Sequence, residues 1–136
     1  MSKPKTILIV DDEAKQRAWM RGILRRQGYV VLAAADYAEA LDVKAAFQGV
    51  IDLFLIDLRL PGGSGYDLSL DLREAENGSR ILFVSGTTGA ELCKYFPAPV
   101  PEVQFLHKPF PASQLAQRIR EILESAAGPL TGRTSA

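Results

Sequence analysis

Apolar positions along the chain gather into five short runs: "TILIV" (6–10), "VVLAA" (30–34), "DLFLI" (52–56), "RILFV" (80–84) and "VQFL" (103–106). Most lack a clean alternation of apolar and polar residues, which is the pattern of strands covered on both faces. Between the runs the spacing turns helical. In "EAKQRAWMRGILRRQG", Trp19 and Ile23 stand four apart, as do Met20 and Leu24, while Arg17, Arg21 and Arg25 turn outward. Trp19 and Met20 are expected in the core, and Gly28 is placed to end the helix. A second helix opens at Asp36, whose side chain can cap it, with Glu39 completing a capping box. A third spans about 64–76 and stops at "NG"; a fourth, about 88–95, is short and halted by Pro97. The fifth, "PASQLAQRIREILES", aligns Leu115, Ile119 and Leu123 on one face, with Ile122 beside them. The closing "AAGPLTGRTSA" reads as a flexible tail or linker, so the expected organisation is one domain over 1–125 and a tail over 126–136.

A strand followed by a helix, five times over, predicts an α/β fold: a doubly wound, five-stranded parallel sheet flanked by five helices. Ligands of such folds sit at the carboxyl ends of the strands. The polar residues that follow each run therefore matter most. Asp11 and Asp12 follow the first, Asp57 the third, Ser85 the fourth and Lys108 the fifth. Taken alone, Asp11 and Asp12 read as readily as a solvated strand end or helix cap as they do as part of a site. Four strands delivering complementary groups to one edge is the stronger pattern.

Composition narrows the chemistry. The 136 residues suffice for one domain, which at this size buries roughly 68% of its unfolded surface. Sixteen Lys and Arg balance sixteen Asp and Glu, so no overall basic field is available to hold nucleic acid. A single cysteine, Cys93, excludes an internal disulfide framework and a cysteine-based zinc site, and fits a reducing compartment. The N-terminal "MSKPKT" leads into a five-residue apolar run, too short for a signal peptide or a membrane span, so the expected location is the cytoplasm.

Three clustered aspartates repel one another by several kcal/mol unless a cation intervenes, since each pair of charges ~4 Å apart is worth about 4 kcal/mol at an effective dielectric of 20. An oxygen-only cluster with room for water suits Mg2+. With its charge screened, Asp57 can act as a nucleophile toward a phosphoryl group and form an acyl phosphate. Lys108 and the Ser85 hydroxyl are then suited to the oxygens of the transferred group.

"VDDE", "LFLIDLRLPGGSG", "FVSGT" and "FLHKPF", in that order and spacing, give the chain a plain resemblance to the receiver domain of two-component response regulators over roughly residues 5–125. The resemblance implies a flavodoxin-like strand order 2-1-3-4-5 and Asp57 as phosphoacceptor. It implies Mg2+ held by the carboxylates of Asp12 and Asp57, by Asp11 through a water, and by the backbone carbonyl of Arg59. Ser85 and Lys108 would contact the phosphoryl oxygens, Phe105 would be the switch aromatic, and the Lys108–Pro109 bond would be cis. The expected partners are a histidine kinase or histidine phosphotransfer protein, and a downstream protein that reads the surface of the fourth helix, fifth strand and fifth helix. No nucleic acid or membrane is expected to bind directly. The chain ends soon after the fifth helix, which suits a free-standing receiver or a piece of a larger protein, and "VSGTTGAEL" with "FLHKPF" resembles receivers at the C-terminus of hybrid sensor kinases.

Two other functions compete with this one. A Mg2+-dependent phosphatase with an aspartate nucleophile needs a second aspartate two residues on, where this chain has Arg59. A degenerate receiver acting only as a docking module would not need the full set of acids, serine and lysine. "PGGSG" lacks the Lys-Ser or Lys-Thr of a nucleotide-binding loop, and Ser85 lies in no Gly-x-Ser-x-Gly elbow. His107 is expected to be a packing or edge residue, Cys93 a small hydrophobe, and the Arg25–Arg26 pair a wetted helix face. Arg59, a long cation at the mouth of the site, is expected to tune dephosphorylation. The three prolines of "FPAPVPE" (96–102) are expected to stiffen the output face.

Overall fold

Strands whose side chains are apolar on both faces need a layer of helices on each side, and the fold supplies both. The computed structural model describes residues 3–75, 80–86 and 104–124. The five apolar runs become β1 (Thr6–Val10), β2 (Val30–Ala34), β3 (Leu53–Asp57), β4 (Arg80–Ser85) and β5 (Gln104–His107). The helices are α1 (Ala14–Arg26), α2 (Tyr37–Ala46), α3 (Gly65–Ala75) and α4 (Ala112–Glu124). Every pairing in the main sheet is parallel and the order is β2-β1-β3-β4-β5, as the resemblance implied. The helix expected at 88–95, Cys93, the "NG" stop, "FPAPVPE" and the tail lie outside the described residues.

Successive residues of β1 divide between two cores. Ile7 and Ile9 join Met20, Ile23 and Leu24 of α1 and Leu115, Ile119 and Ile122 of α4 on one face. Leu8 and Val10 join Ala40 of α2 and Leu68 and Leu72 of α3 on the other. All five residues of β1 and of β3 are buried, which explains the apolar stretches "ILIV" and "LFLI" within them. β2, at the sheet edge, is less covered, and Val30 stays 41% exposed.

The third strand is set one residue later than its apolar run and the fifth ends one residue beyond its own, and this matters for function. Asp52 stays outside β3, where its carboxylate accepts the Thr6 N–H at 2.8 Å. Asp57 lies inside the strand, opposite Val84, and Ser85 ends β4 opposite His107. The candidate acceptor and serine are thus gripped by the sheet ladder rather than carried on loops.

Helix boundaries follow local chemistry, with two corrections. Gly28 adopts φ 96 just past the end of α1, a conformation glycine enters without steric cost. Asp36 caps α2 by accepting the Glu39 N–H at 2.8 Å, but the Glu39 carboxylate reaches past the cap to the Ala35 N–H instead of closing the expected reciprocal pair. Trp19 is not core: it is 40% exposed and leans on Phe110, ring centroids 5.7 Å apart. Met20, Ile23 and Leu24 fill the inward stripe of α1, leaving Trp19 at its margin. On α4, Leu123 is only partly buried, and Ala116 takes a core place beside Leu115.

Candidate functional site

The carboxyl edge of the sheet gathers charge because β1 and β3 are neighbours. Their terminal acids, Asp11, Asp12 and Asp57, offer carboxylate oxygens that all lie within 4.8 Å of one another. Asp11 is fully buried, Asp57 is 9% exposed and Asp12 is open to solvent. The solvated-end reading therefore holds for Asp12 and fails for Asp11. The helix-cap reading fails as well: α1 is capped at Glu13, without a side-chain hydrogen bond.

Lys108 enters from the end of β5. Its backbone N–H donates to the Ser85 carbonyl at 2.8 Å, tying the fifth strand's exit to the fourth. Its ammonium group lies 3.1 Å from Asp57 Oδ2 and 3.6 Å from Asp11 Oδ2. The Lys108–Pro109 bond is cis, as expected. The other oxygen of each acid is held by main chain: Asp57 Oδ1 accepts the Arg59 N–H at 3.0 Å, and Asp11 Oδ1 accepts the Glu13 N–H at 2.9 Å.

The electrostatics reflect this crowding. Burial pushes the Asp11 carboxyl above the usual carboxylate range; the Glu13 N–H and Lys108 pull it back, while Asp57 and Asp12 add to the rise. Burial opposes the Lys108 charge, but Asp57 and then Asp11 outweigh it and hold the amine above its ordinary value. Asp11 Oδ2 is buried without a hydrogen-bond partner among the described residues, Lys108 being too distant at 3.6 Å. An unsatisfied buried carboxylate oxygen facing two more carboxylates is an unfinished coordination sphere for a hard cation. The donor set fits Mg2+.

Around the acids the remaining expected residues take their places. Ser85 is buried at the end of β4, beside the strand that carries Asp57. Arg59 is exposed and opens a two-stranded antiparallel ribbon, Arg59–Leu60 with Gly63–Ser64. The ribbon walls a cleft of about 450 Å3 that also includes Asp12 and Leu58. Phe105 is half-buried and meets Phe83 at 5.7 Å between ring centroids. His107 is exposed at the end of the edge strand, in keeping with the edge role expected for it.

These groups stand in the arrangement that four sequence segments pointed to, and the description "Response regulator receiver domain" matches residues 7–120. The chain belongs to the response regulator receiver domain family. This receiver is 33% identical over 124 residues to the sensor kinase CckA of Brucella abortus (strain 2308), covering 91% of this chain and 13% of that protein. It is 32% identical over 117 residues to the aerobic respiration control protein ArcA of Escherichia coli (strain K12), covering 86% of this chain and 48% of that one. The chain thus spans less than half the length of these curated relatives. Among solved structures, the receiver domain from the hybrid histidine kinase CckA matches with a TM-score of 0.73 at 34% identity, covering 88% of this chain and 99% of that one. A response regulator receiver protein from Sinorhizobium medicae WSM419 matches with 0.77 at 27% identity, covering 90% and 97%. Receivers in general act as signalling switches that work with histidine kinases or phosphotransfer proteins and bind Mg2+ at an acidic cluster, the place taken here by Asp11, Asp12 and Asp57. No helix among the described residues is long and apolar enough to cross a membrane.

Two residues escaped the reading of the sequence. Arg17, expected to point outward, donates from Nη1 to the Asp11 carbonyl at 2.7 Å and so braces the loop that carries both acids. Its position one turn into the helix that follows two acids was the available signal. Gly65, buried where α3 starts, is the other: a Cβ there would overlap the Asp57 carbonyl oxygen and come within 2.9 Å of Leu58 Cα. The last glycine of "PGGSG" is therefore a packing requirement as well as a turn residue.

Proposed function

We propose that this receiver accepts a phosphoryl group on Asp57 from the phosphohistidine of a kinase or phosphotransfer protein. The observation that carries the reading is the Lys108 ammonium bridging the acids of two adjacent strands, 3.1 Å from Asp57 and 3.6 Å from Asp11. An Asp57 carboxylate oxygen attacks phosphorus, the P–N bond to the donor imidazole breaks, and its electron pair returns to the ring nitrogen. The product is an acyl phosphate. Asp11, Asp12 and Asp57, with the Arg59 carbonyl, would hold Mg2+, which supplies charge screening for the approach of one anion to another. The Arg59 N–H keeps Asp57 oriented, and Lys108 passes from the carboxylate to the phosphoryl oxygens as their charge builds.

The signal follows from where the new charge lands. A phosphoryl group adds roughly 1.5 to 2 negative charges. Attraction of Ser85 to it pulls on the end of β4, opens space for Phe105 to turn inward and changes the face that includes β5 and α4. Downstream proteins read that face as a shift between two packings. The reading is of a cytoplasmic switch, not a turnover enzyme, since Arg59 occupies the place of a phosphatase's second aspartate. Mass spectrometry after treatment with acetyl phosphate and Mg2+ tests it. Wild type should gain one phosphoryl increment and Asp57→Asn none; the same increment in the variant would remove Asp57 as acceptor, and repeated turnover would favour the phosphatase.

A further inference from the structure

Tyr37, the first residue of α2, sits where three separate elements meet. Its ring lies against the ribbon after Asp57: a Cβ added at Gly63 would stand 3.0 Å from Tyr37 Cδ2 and 3.1 Å from Cε2, and one at Gly62 would stand 3.9 Å from Tyr37 Cβ. The approach is tight at Gly63, and both glycines hold positive φ, a conformation that favours glycine. The Tyr37 hydroxyl donates to Asp71 Oδ2 on α3. That bond, then partial burial and the Asp71 charge, push the phenol up to about 12, so it remains a donor at any physiological pH. The ribbon pressed by this ring begins at Arg59, whose N–H grips Asp57 Oδ1.

We propose that Tyr37 is a positioning residue for the cation site: tethered by its hydroxyl to Asp71, its ring backs Gly63 and holds the ribbon where Arg59 can serve Asp57. The physical reason is preorganisation. The ribbon is only two residues wide on each side, and a two-stranded hairpin of that size has little stability of its own. Something outside it must fix its position before the acids meet a cation. α2 and α3 provide the frame, and the Tyr37–Asp71 bond joins them beside the ribbon. Removing the hydroxyl keeps the ring and its packing but frees the ring to drift, so Arg59 and its carbonyl lose their fixed place.

The inference rests on the reading of Asp57 as acceptor beside a cation site, and the test separates the two. Tyr37→Phe, Asp71→Ala and the double variant are titrated with Mg2+ alone, and exchange of the Arg59 amide proton is followed in metal-free protein. In each single variant, Mg2+ should bind about threefold more weakly, and at most tenfold, with Arg59 exchange faster by a similar factor. The double variant should be no worse than either single one, because both break the same link. Asp71→Ala leaves the Tyr37 ring intact, so it reports even if Tyr37→Phe folds poorly. Unchanged Mg2+ affinity and Arg59 exchange in the singles, with wild type binding Mg2+, would overturn the positioning role alone, even if their urea midpoints fall. Failure of wild type to bind Mg2+ would bring down the underlying reading.

Discussion

Asp11→Asn should make the metal-free protein more stable, although it damages the cation site. The magnitude follows from the geometry. Attraction between Asp11 and Lys108 at 3.6 Å is worth about 4.6 kcal/mol at an effective dielectric of 20, and repulsion from Asp57, no more than 4.8 Å away, opposes it by at least about 3.5 kcal/mol. These nearly cancel, and the exposed Asp12 adds a weak, screened repulsion. What decides the balance is burial: Asp11 is fully enclosed, and an enclosed carboxylate costs several kcal/mol of hydration that an amide does not. A net gain of about 1–2 kcal/mol is expected on substitution, after loss of the Lys108 contact is counted.

The same physics fixes the pH dependence. Burial holds the Asp11 carboxyl above its unfolded value, so the folded protein binds the proton more tightly than the unfolded chain. Wild-type stability then falls as pH rises through the window between those two values, and the Asn variant lacks that fall. Urea denaturation in chelator, from mildly acid to neutral pH, measures both the offset and the slope. Adding Mg2+ at about 100 times its dissociation constant should stabilise wild type by about 2.7 kcal/mol and the variant by less, reversing their order. A variant less stable than wild type in chelator at neutral pH, or one with an unchanged pH slope, would refute the argument from burial.

Other consequences can be measured on the same preparations. Lys108→Ala should slow labelling by acetyl phosphate roughly 100-fold, since a charged partner of the phosphoryl oxygens is gone. Because the Lys108 amine is held above its ordinary value, its stabilising contribution is complete below that value and disappears as pH rises through the raised one; the variant's alkaline stability curve should lack this fall. Gly65→Ala should destabilise by about 1–3 kcal/mol in urea, because the new methyl meets backbone that cannot yield, and a neutral result would mean that α3 shifts freely against β3. Arg59→Ala should shorten the phosphoryl lifetime by about two- to fivefold, the scale of a single exposed charge; an unchanged lifetime ends the idea that Arg59 shields the acyl phosphate.

Much of this protein was legible in one dimension because its chemistry is written at strand ends. Runs such as "TILIV" and "LFLI" could satisfy their side chains only between two helical layers, and a parallel sheet then had to carry Asp11, Asp12, Asp57, Ser85 and Lys108 to a common edge. A sheet covered on both faces followed from pattern, whereas strand order and the cis bond before Pro109 followed from the resemblance. What periodicity left undetermined was how a side chain is divided between core and water when it sits at the margin of a stripe. Trp19 has the spacing of a core residue, yet the helix's rotation is set by the tighter packing of Met20, Ile23 and Leu24, and that places it beside Phe110.

Tertiary structure alone decided the difference between the two neighbouring aspartates. Hydrophobic pattern does not separate Asp11 from Asp12; in the fold one is sealed beneath Lys108 with an unsatisfied oxygen, and the other meets solvent. It also decided that Arg17 braces the Asp11 carbonyl, that Gly65 makes room for the Asp57 carbonyl, and that Tyr37 links the ribbon to Asp71. Each of those joins residues from different elements. Local periodicity reports which face of an element is apolar, whereas a contact between elements depends on their relative placement, which emerges only when the cores close.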